Sequence, residues 1–566
     1  MKNFLTSFKK SVSTKELLFA LLFGIVIILF LEIPYFYGTY ISSSSAHYTH
    51  LLNASPADYI IYYNLIEQSK NGAFLFQNFF TSEPHAGVYF SPLWLLLGKI
   101  ASVNNLESHT IFELAKIVSG LLCILMLYCF IAYFFKNKKH RKIALVVTTL
   151  SAGISFFALP YITYISQNIP IRQGLFYPID MVISEAFTFS ILSHSALFSL
   201  SLTLMLSIFW LFLRRTESFW GYFFLGTSAA TLGLMHIYDL ITITVVATLY
   251  VLFTFIVKKR LHLQYVYRLL LIFFVFAVCA SYFYILFNTD PVLGGWAMQN
   301  KVITSYLFPT LIGFGALIPL ALYGSYRAAK TSNYRLIFLA FWAIPCFILA
   351  FSPLPFQRKL FQGISVPLGI LSTYAIIALY QKSGIFKRKT AATIYQGVLL
   401  SVLSIALFLT PLYITFFQIH DFSKKEFAYF LNKNEQDVFT YLEKNVRDSE
   451  HILASPGYDQ LIPGIIFKRV YSGNDHQTIN YAKKEQEIFA FWTFQNNIPW
   501  KKQFLIDGSI EYLLIEKAAD KYHRFDFDSV DFVKKVFENE QFVVYKTKIS
   551  PTKPHTALPP HSPQVS

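Results

Sequence analysis

Charge is scarce in this chain. Of its 566 residues only 14% are Asp, Glu, Lys or Arg, where a soluble domain carries about 25%. Cysteine is scarcer still: Cys123, Cys129, Cys279 and Cys346 are the only four, each inside an apolar run. No C-x-x-C pair occurs, so neither a zinc site nor a disulfide framework is indicated, and the thiols read as gap-fillers between helices. The P-loop, the Rossmann glycine fingerprint and the H-E-x-x-H signature are missing as well. With no cytoplasmic domain to bind a nucleotide, an enzyme built on this chain must draw its substrate from the membrane or from outside. That requirement points to lipid-linked donors.

What fills the chain instead is apolar: 54% hydrophobic residues, 18% aromatic, and a mean hydropathy of +0.45. One globular core cannot absorb that excess, because cores stop growing at about 250–300 residues. The apolar residues fall in runs of about 17–28, the length that crosses a hydrocarbon layer roughly 30 Å thick. The first run, Leu17 to Phe36, follows Lys9, Lys10 and Lys15. It is longer than a signal-peptide core and reads as an uncleaved anchor with a cytoplasmic N-terminus. Further spans are expected near 111–135, 143–165, 186–213, 219–237, 240–257, 269–287, 303–326, 336–352, 361–380 and 391–417, about eleven in all.

The net charge of +16 is a topology signal. From His420 onward 19 basic residues face 20 acidic ones, while before it 29 face 12. Loops assigned to the cytoplasm (the N-terminus, 136–142, 214–218, 258–268, 327–335 and 382–389) hold 22 Lys and Arg. Loops assigned outside hold six: Lys70, Lys99, Arg172, Lys301, Arg358 and Lys359. This is the positive-inside pattern of a multi-pass protein of the cell membrane, and no nucleic-acid partner is expected. Of the twelve early acidic residues, all but Glu16 and Glu217 fall at the outer side. Carboxylates beside apolar helices are costly, so an outer cluster of them calls for a functional account.

The expected fold is an all-α polytopic membrane domain over 1–419, a soluble extracytoplasmic α/β domain over 420–549, and a proline-rich disordered tail over 550–566. The first outer loop, 38–110, carries helical spacing at Ala57–Ile66 and an apolar stretch from Pro92 too short to span, so helices lying in the interface are expected there. In the soluble part, short apolar runs at 451–455, 467–471, 510–515 and 542–545 read as strands, with helices at 425–446 and 481–492. Leu453, Val470, Leu513, Leu514 and Val543 are its expected core.

This layout resembles the GT-C superfamily of membrane glycosyltransferases, which includes protein O-mannosyltransferases, aminoarabinose transferases and oligosaccharyltransferase catalytic subunits. The resemblance rests on Asp58-x-x-x-Tyr62 followed by Gly72, and on Ser91-Pro92-Leu93-Trp94. It extends to a His236-Ile-Tyr238-Asp239 turn, a Gln357-Arg358 loop, and a segment running from Pro456 to Tyr471-Ser-Gly473. One departure stands out: the acidic pair of the family pattern is Asp58-Tyr59 here.

The resemblance implies transfer of a sugar from a polyprenyl-phosphate donor to a glycan, lipid or protein acceptor at the outer face of the bilayer. Such chemistry needs a base for the acceptor hydroxyl and cations for the departing phosphate. Asp58 then becomes the candidate base, although an acid in a first helical turn has a capping role open to it too. Arg358 and Lys359, with Arg172, become candidate phosphate ligands, and snorkelling to headgroups is their plainer use. Glu83, Asp180 and Glu185 are candidates for a second acid or for a divalent-metal site. His236, Tyr238 and Asp239 form an outer-turn polar cluster in which Asp239 needs a partner. His194, on an apolar helix, reads as a core histidine. A transporter or flippase of a lipid-linked glycan, and an inactive scaffold of the same fold, are the competing readings.

Overall fold

The computed structural model describes residues 12–52, 56–168, 173–214, 218–382, 389–493, 497–518 and 525–548. The expected tail at 550–566 lies outside the described residues. Among those described, eight helices are long and apolar enough to cross a membrane, and the bent pair Leu307–Phe314 and Leu317–Lys330 makes a ninth if counted as one span. Two apolar helices of 17 residues, Phe219–Met235 and Tyr334–Ala350, occupy the remaining rungs of the expected ladder. Each rises about 25 Å, short of a full hydrocarbon crossing. The chain is a polytopic helical membrane protein with a small sheet domain near its C-terminus.

Several spans expected as single rods are broken, and two of the breaks fall at small residues. The 186–213 stretch divides into Thr188–His194 and Ala196–Leu213 at Ser195, which is fully extended with φ −161° and ψ 161°. The Ser195 hydroxyl accepts from the Phe198 amide and caps the second helix. The 303–326 stretch bends by 74° between its two helices. Gly315 sits at that bend with φ +47°, and a Cβ there would lie 2.9 Å from the Ile154 amide nitrogen. Only glycine permits both the left-handed backbone and the close approach.

Three charged groups are buried among the first spans. Lys116 Nζ lies 2.5 Å from Glu113 Oε2 and 3.3 Å from Glu32 Oε2, with all three side chains almost wholly inaccessible. Glu32 stands where the Thr14–Leu31 helix yields to Ile33–Ile41, a break set by Pro34.

The C-terminal part is a mixed five-stranded sheet in the order β4-β3-β5-β7-β6, with β3 His451–Ala454, β4 Arg469–Val470, β5 Ile510–Glu516, β6 Val533–Glu538 and β7 Phe542–Thr547. β3 pairs in parallel with β4 and β5, while β7 pairs antiparallel with β5 and β6. Alternation along the strands feeds two layers. Ile452, Val470, Leu514 and Val544 join the core continuous with the membrane part; Leu453, Leu513, Val543 and Tyr545 join a separate one with Phe491, Trp492 and Phe504. All five residues expected in the core are buried. The helix expected over 425–446 is shorter, Lys433–Asn445, because Phe430–Leu431 (β2) is extended and pairs with His47–Tyr48 (β1) of the first loop.

Candidate functional site

The helix Pro56–Lys70 carries Asp58 in its first turn, where unpaired N–H groups and the helix dipole favour a carboxylate. Its position is set from both sides. Towards the sheet domain, Asn64 Nδ2 donates to the Pro463 carbonyl over 2.7 Å. Gly464 lets that helix approach: a Cβ on it would lie 2.7 Å from Ile60 Cα. Towards the bundle, the Tyr59 ring packs 4.8 Å from Phe112 and its hydroxyl donates to the His194 carbonyl over 2.7 Å. The break at Ser195 ends a helix at His194, and the last carbonyls of a helix need partners from elsewhere.

His194 Nε2 lies 3.4 Å from Asp58 Oδ2, with the imidazole buried and Asp58 38% exposed. The His194 ring packs 4.5 Å from Phe198, and Lys359 Nζ sits 5.4 Å above that same phenyl ring. Lys359 in turn pairs with Glu185 at 2.9 Å. Burial works to raise the Glu185 carboxyl, but the charges of Lys359 and Arg358 outweigh it and hold it at about 2. The Tyr62 phenol is pushed up, first by burial and then by Asp58 and Glu185, so both carboxylates bear on one hydroxyl.

Arg358 and Lys359 lie in the short 3-10 helix Gln357–Phe361. Gln357 locks this loop, accepting from the Thr304 amide over 3.1 Å and donating to the Ser352 carbonyl over 2.8 Å. Arg358 Nε is buried and meets no hydrogen-bond acceptor among the described residues. The His236-Ile-Tyr-Asp turn closes the same region: His236 Nδ1 lies 3.0 Å from Asp239 Oδ1, and Tyr238 packs 4.8 Å from Phe356. The His236 ring lies 6.0 Å from Phe198.

The structure thus gathers Asp58, Glu185, Arg358, Lys359, His236, Tyr238 and Asp239 around Phe198, and adds His194. It does not gather the other candidates. Glu83 is drawn to the sheet domain, where Lys484 Nζ binds it at 2.9 Å and Thr81 donates to it. Asp180 accepts from the Gly153 amide at 3.0 Å and from the Ser155 hydroxyl, bracing the irregular 151–158 stretch. Burial pushes its carboxyl up to about 7 against those bonds. Arg172 lies outside the described residues. No three His, Cys, Asp or Glu side chains come together as a metal-binding group among the described residues. Glu83, Asp180 and Glu185 each take a different partner: Lys484, Ser155 and Lys359. His194 escaped sequence reasoning because its partner is remote in the chain; the readable signal was Ser195, a strong N-cap residue inside an apolar run.

No protein-family model matches the chain, and no curated protein matches it in sequence. Solved structures do match in three dimensions. The oligosaccharyltransferase of Archaeoglobus fulgidus in its apo form superposes with a TM-score of 0.55 at 14% identity, over 89% of this chain and 70% of that one. The chain has the GT-C fold. The archaeal enzyme AglB from the same organism, in complex with an inhibitory peptide and a dolichol-phosphate, gives 0.54 at 14% identity over 88% and 69%. ArnT from Cupriavidus metallidurans in the apo state gives 0.47 at 12% identity over 92% and 97%. At these identities the likeness is one of GT-C architecture.

The motifs that carried the resemblance find concrete positions within that architecture. Arg469 stacks 4.5 Å from Phe79 and donates to Gln77, and the Gly473 amide donates to the Phe80 carbonyl over 3.0 Å. The Pro456–Gly473 segment therefore docks the sheet domain onto the first loop.

Proposed function

We propose that this protein is a glycosyltransferase that moves a sugar from a polyprenyl-phosphate donor to an acceptor on the non-cytoplasmic face of the cell membrane. The observation that carries this reading is the approach of a partly exposed carboxylate, Asp58, to a half-buried cationic loop through His194, Phe198 and Lys359. Asp58 takes the proton from the acceptor as its oxygen or nitrogen bonds to the anomeric carbon. The bond from that carbon to the phosphate oxygen breaks, and the electron pair leaves with the lipid phosphate. Arg358, with an N–H lacking an acceptor, offers a donor to the growing negative charge. Lys359 has three N–H groups and gives one to Glu185, so others remain for a phosphate oxygen. His194 is a positioning residue that fixes the Asp58 carboxylate and takes no part in bond making. The dolichol-phosphate in the archaeal complex fits a lipid donor of this class.

The experiment is transfer of radiolabelled sugar from polyprenyl-phosphate donors by purified protein in lipid. Asp58→Asn should lower turnover about 10²–10⁴-fold at unchanged donor affinity. Arg358→Ala should weaken donor affinity as well as rate, because the phosphate is charged before and after transfer. An Asp58→Asn enzyme with full activity sinks the assignment of the base. If wild type turns over no lipid-linked sugar yet moves a lipid-linked glycan across vesicles, the flippase reading replaces this one.

A further inference from the structure

A cavity of about 1030 Å³ opens at the end of the bundle away from the sheet. The helix Ser108–Phe134 begins beside Tyr59 and runs 27 residues to the cavity wall. That is about 40 Å of rise, a bilayer's distance from Asp58. Four cations meet on the wall, each from a different part of the bundle. Lys136 follows Phe134, Arg214 caps Ala196–Leu213, Lys258 ends Tyr238–Lys258, and Arg335 opens Tyr334–Ala350. The lining also holds Tyr250 and Tyr265, and contains no Asp or Glu among the described residues.

Basic residues collect at this end of any positive-inside protein, and free side chains there spread into water or snorkel. Three of the four are held over aromatic rings. Arg214 Cζ is held 4.0 Å above the Trp210 ring, Arg335 Cζ 4.9 Å above Tyr133, and Lys258 Nζ 5.8 Å above Tyr334. Behind the wall Arg268 donates to the carbonyls of Phe212 and Arg214, adding a fifth positive charge. Like charges fixed around one concavity repel, and an anion in it reverses the sign of every one of those terms. Guanidinium pairs and phenol hydroxyls suit phosphate oxygens in particular.

We propose that this cavity is a phosphate-binding site on the face opposite the sheet domain, built to hold the headgroup of an anionic phospholipid or a soluble phosphorylated compound. It is separate from the site at Asp58 and does not depend on the proposed transfer reaction.

The test uses the full chain purified in detergent. Native mass spectrometry reports retention of phosphatidylglycerol against phosphatidylcholine, and calorimetric titration with pyrophosphate supplies the soluble arm. Wild type is expected to bind at least one of the two anions. Lys258→Gln combined with Arg335→Gln should weaken that binding roughly 30-fold, the effect of removing two interfacial cations. Both residues are exposed at helix ends, and an unchanged thermal midpoint verifies the fold. Lys136→Gln, on a loop, repeats the test at a third wall residue. Phosphatidylglycerol retained without pyrophosphate identifies a lipid ligand, and the converse a soluble one. Binding of neither, or binding indifferent to both variants, overturns the proposal.

Discussion

The Tyr59 hydroxyl and the His194 carbonyl, 135 residues apart in the chain, meet in a buried 2.7 Å hydrogen bond. This bond ties the helix that carries Asp58 to the break at Ser195 and so brings the Asp58 carboxylate against the His194 imidazole. Tyr59→Phe keeps the ring against Phe112 and removes only the donor. The carbonyl left without a partner should cost about 1–3 kcal/mol, read as a lower thermal midpoint. Transfer rate should fall more than donor affinity, since the loop at Arg358 is untouched. An equal loss of both would show that this bond does not act through Asp58.

Acid should weaken the Glu185–Lys359 pair. The folded carboxyl titrates at about 2 against an ordinary value of 4.5, so the folded state binds fewer protons between those values. Its stabilisation is fully present above the ordinary value and is lost as the pH falls through the folded one. The gap in thermal midpoint between wild type and Glu185→Gln should therefore be wide near neutrality and shrink as the pH falls below about 4. A gap that stays constant with pH contradicts the pairing.

Gly464→Val places a branched side chain where the Ile60 backbone already lies 2.7 Å from a Cβ position. Overpacking of this kind costs about 1–3 kcal/mol. The helix Pro56–Lys70 must shift, and Asp58 is two residues from Ile60. Faster proteolysis of the sheet domain is expected together with lower transfer activity. Gly397→Val, on a helix face with open space, serves as the control that changes neither.

Lys116→Met should be the most damaging of these changes. It leaves Glu32 and Glu113 facing each other in a buried site with no cation between them. Removing one partner of a buried ion pair costs about 3–5 kcal/mol. Loss of the folded monomer in size-exclusion chromatography is expected, with partial rescue when Glu113→Gln is added. A stable Lys116→Met protein would mean that water reaches this triad.

Much of the fold was readable because membrane spans are local. Each satisfies its backbone internally and is marked by its own apolar run, so all eleven expected positions correspond to helices without reference to their neighbours. The strands of the sheet domain were readable by the same kind of local signal, apolar runs such as Ile510–Ile515, whereas β6, with Lys534 and Lys535 exposed on an edge, carried none. Breaks were harder. Ser195 and Gly315 interrupt apolar stretches whose hydropathy is uninterrupted, and their effect depends on what approaches: Tyr59 in one case, Ile154 in the other.

The candidate site divides along the same line. Residue chemistry by itself determined that acids and cations belong at one end of the bundle, since each of them is expensive in lipid and its sign follows the topology. Which of them meet was decided only by tertiary structure. Glu185 reaches Lys359, Glu83 reaches Lys484, and Asp180 is used up by Ser155 and Gly153. The physical reason is that a carboxylate's role depends on the nearest opposite charge or donor in space. Spacing along a chain specifies that only within a few residues, as between Glu113 and Lys116, and never across the 140 to 401 positions that separate Asp58 from the Phe198–Lys359 ledge or Glu83 from Lys484.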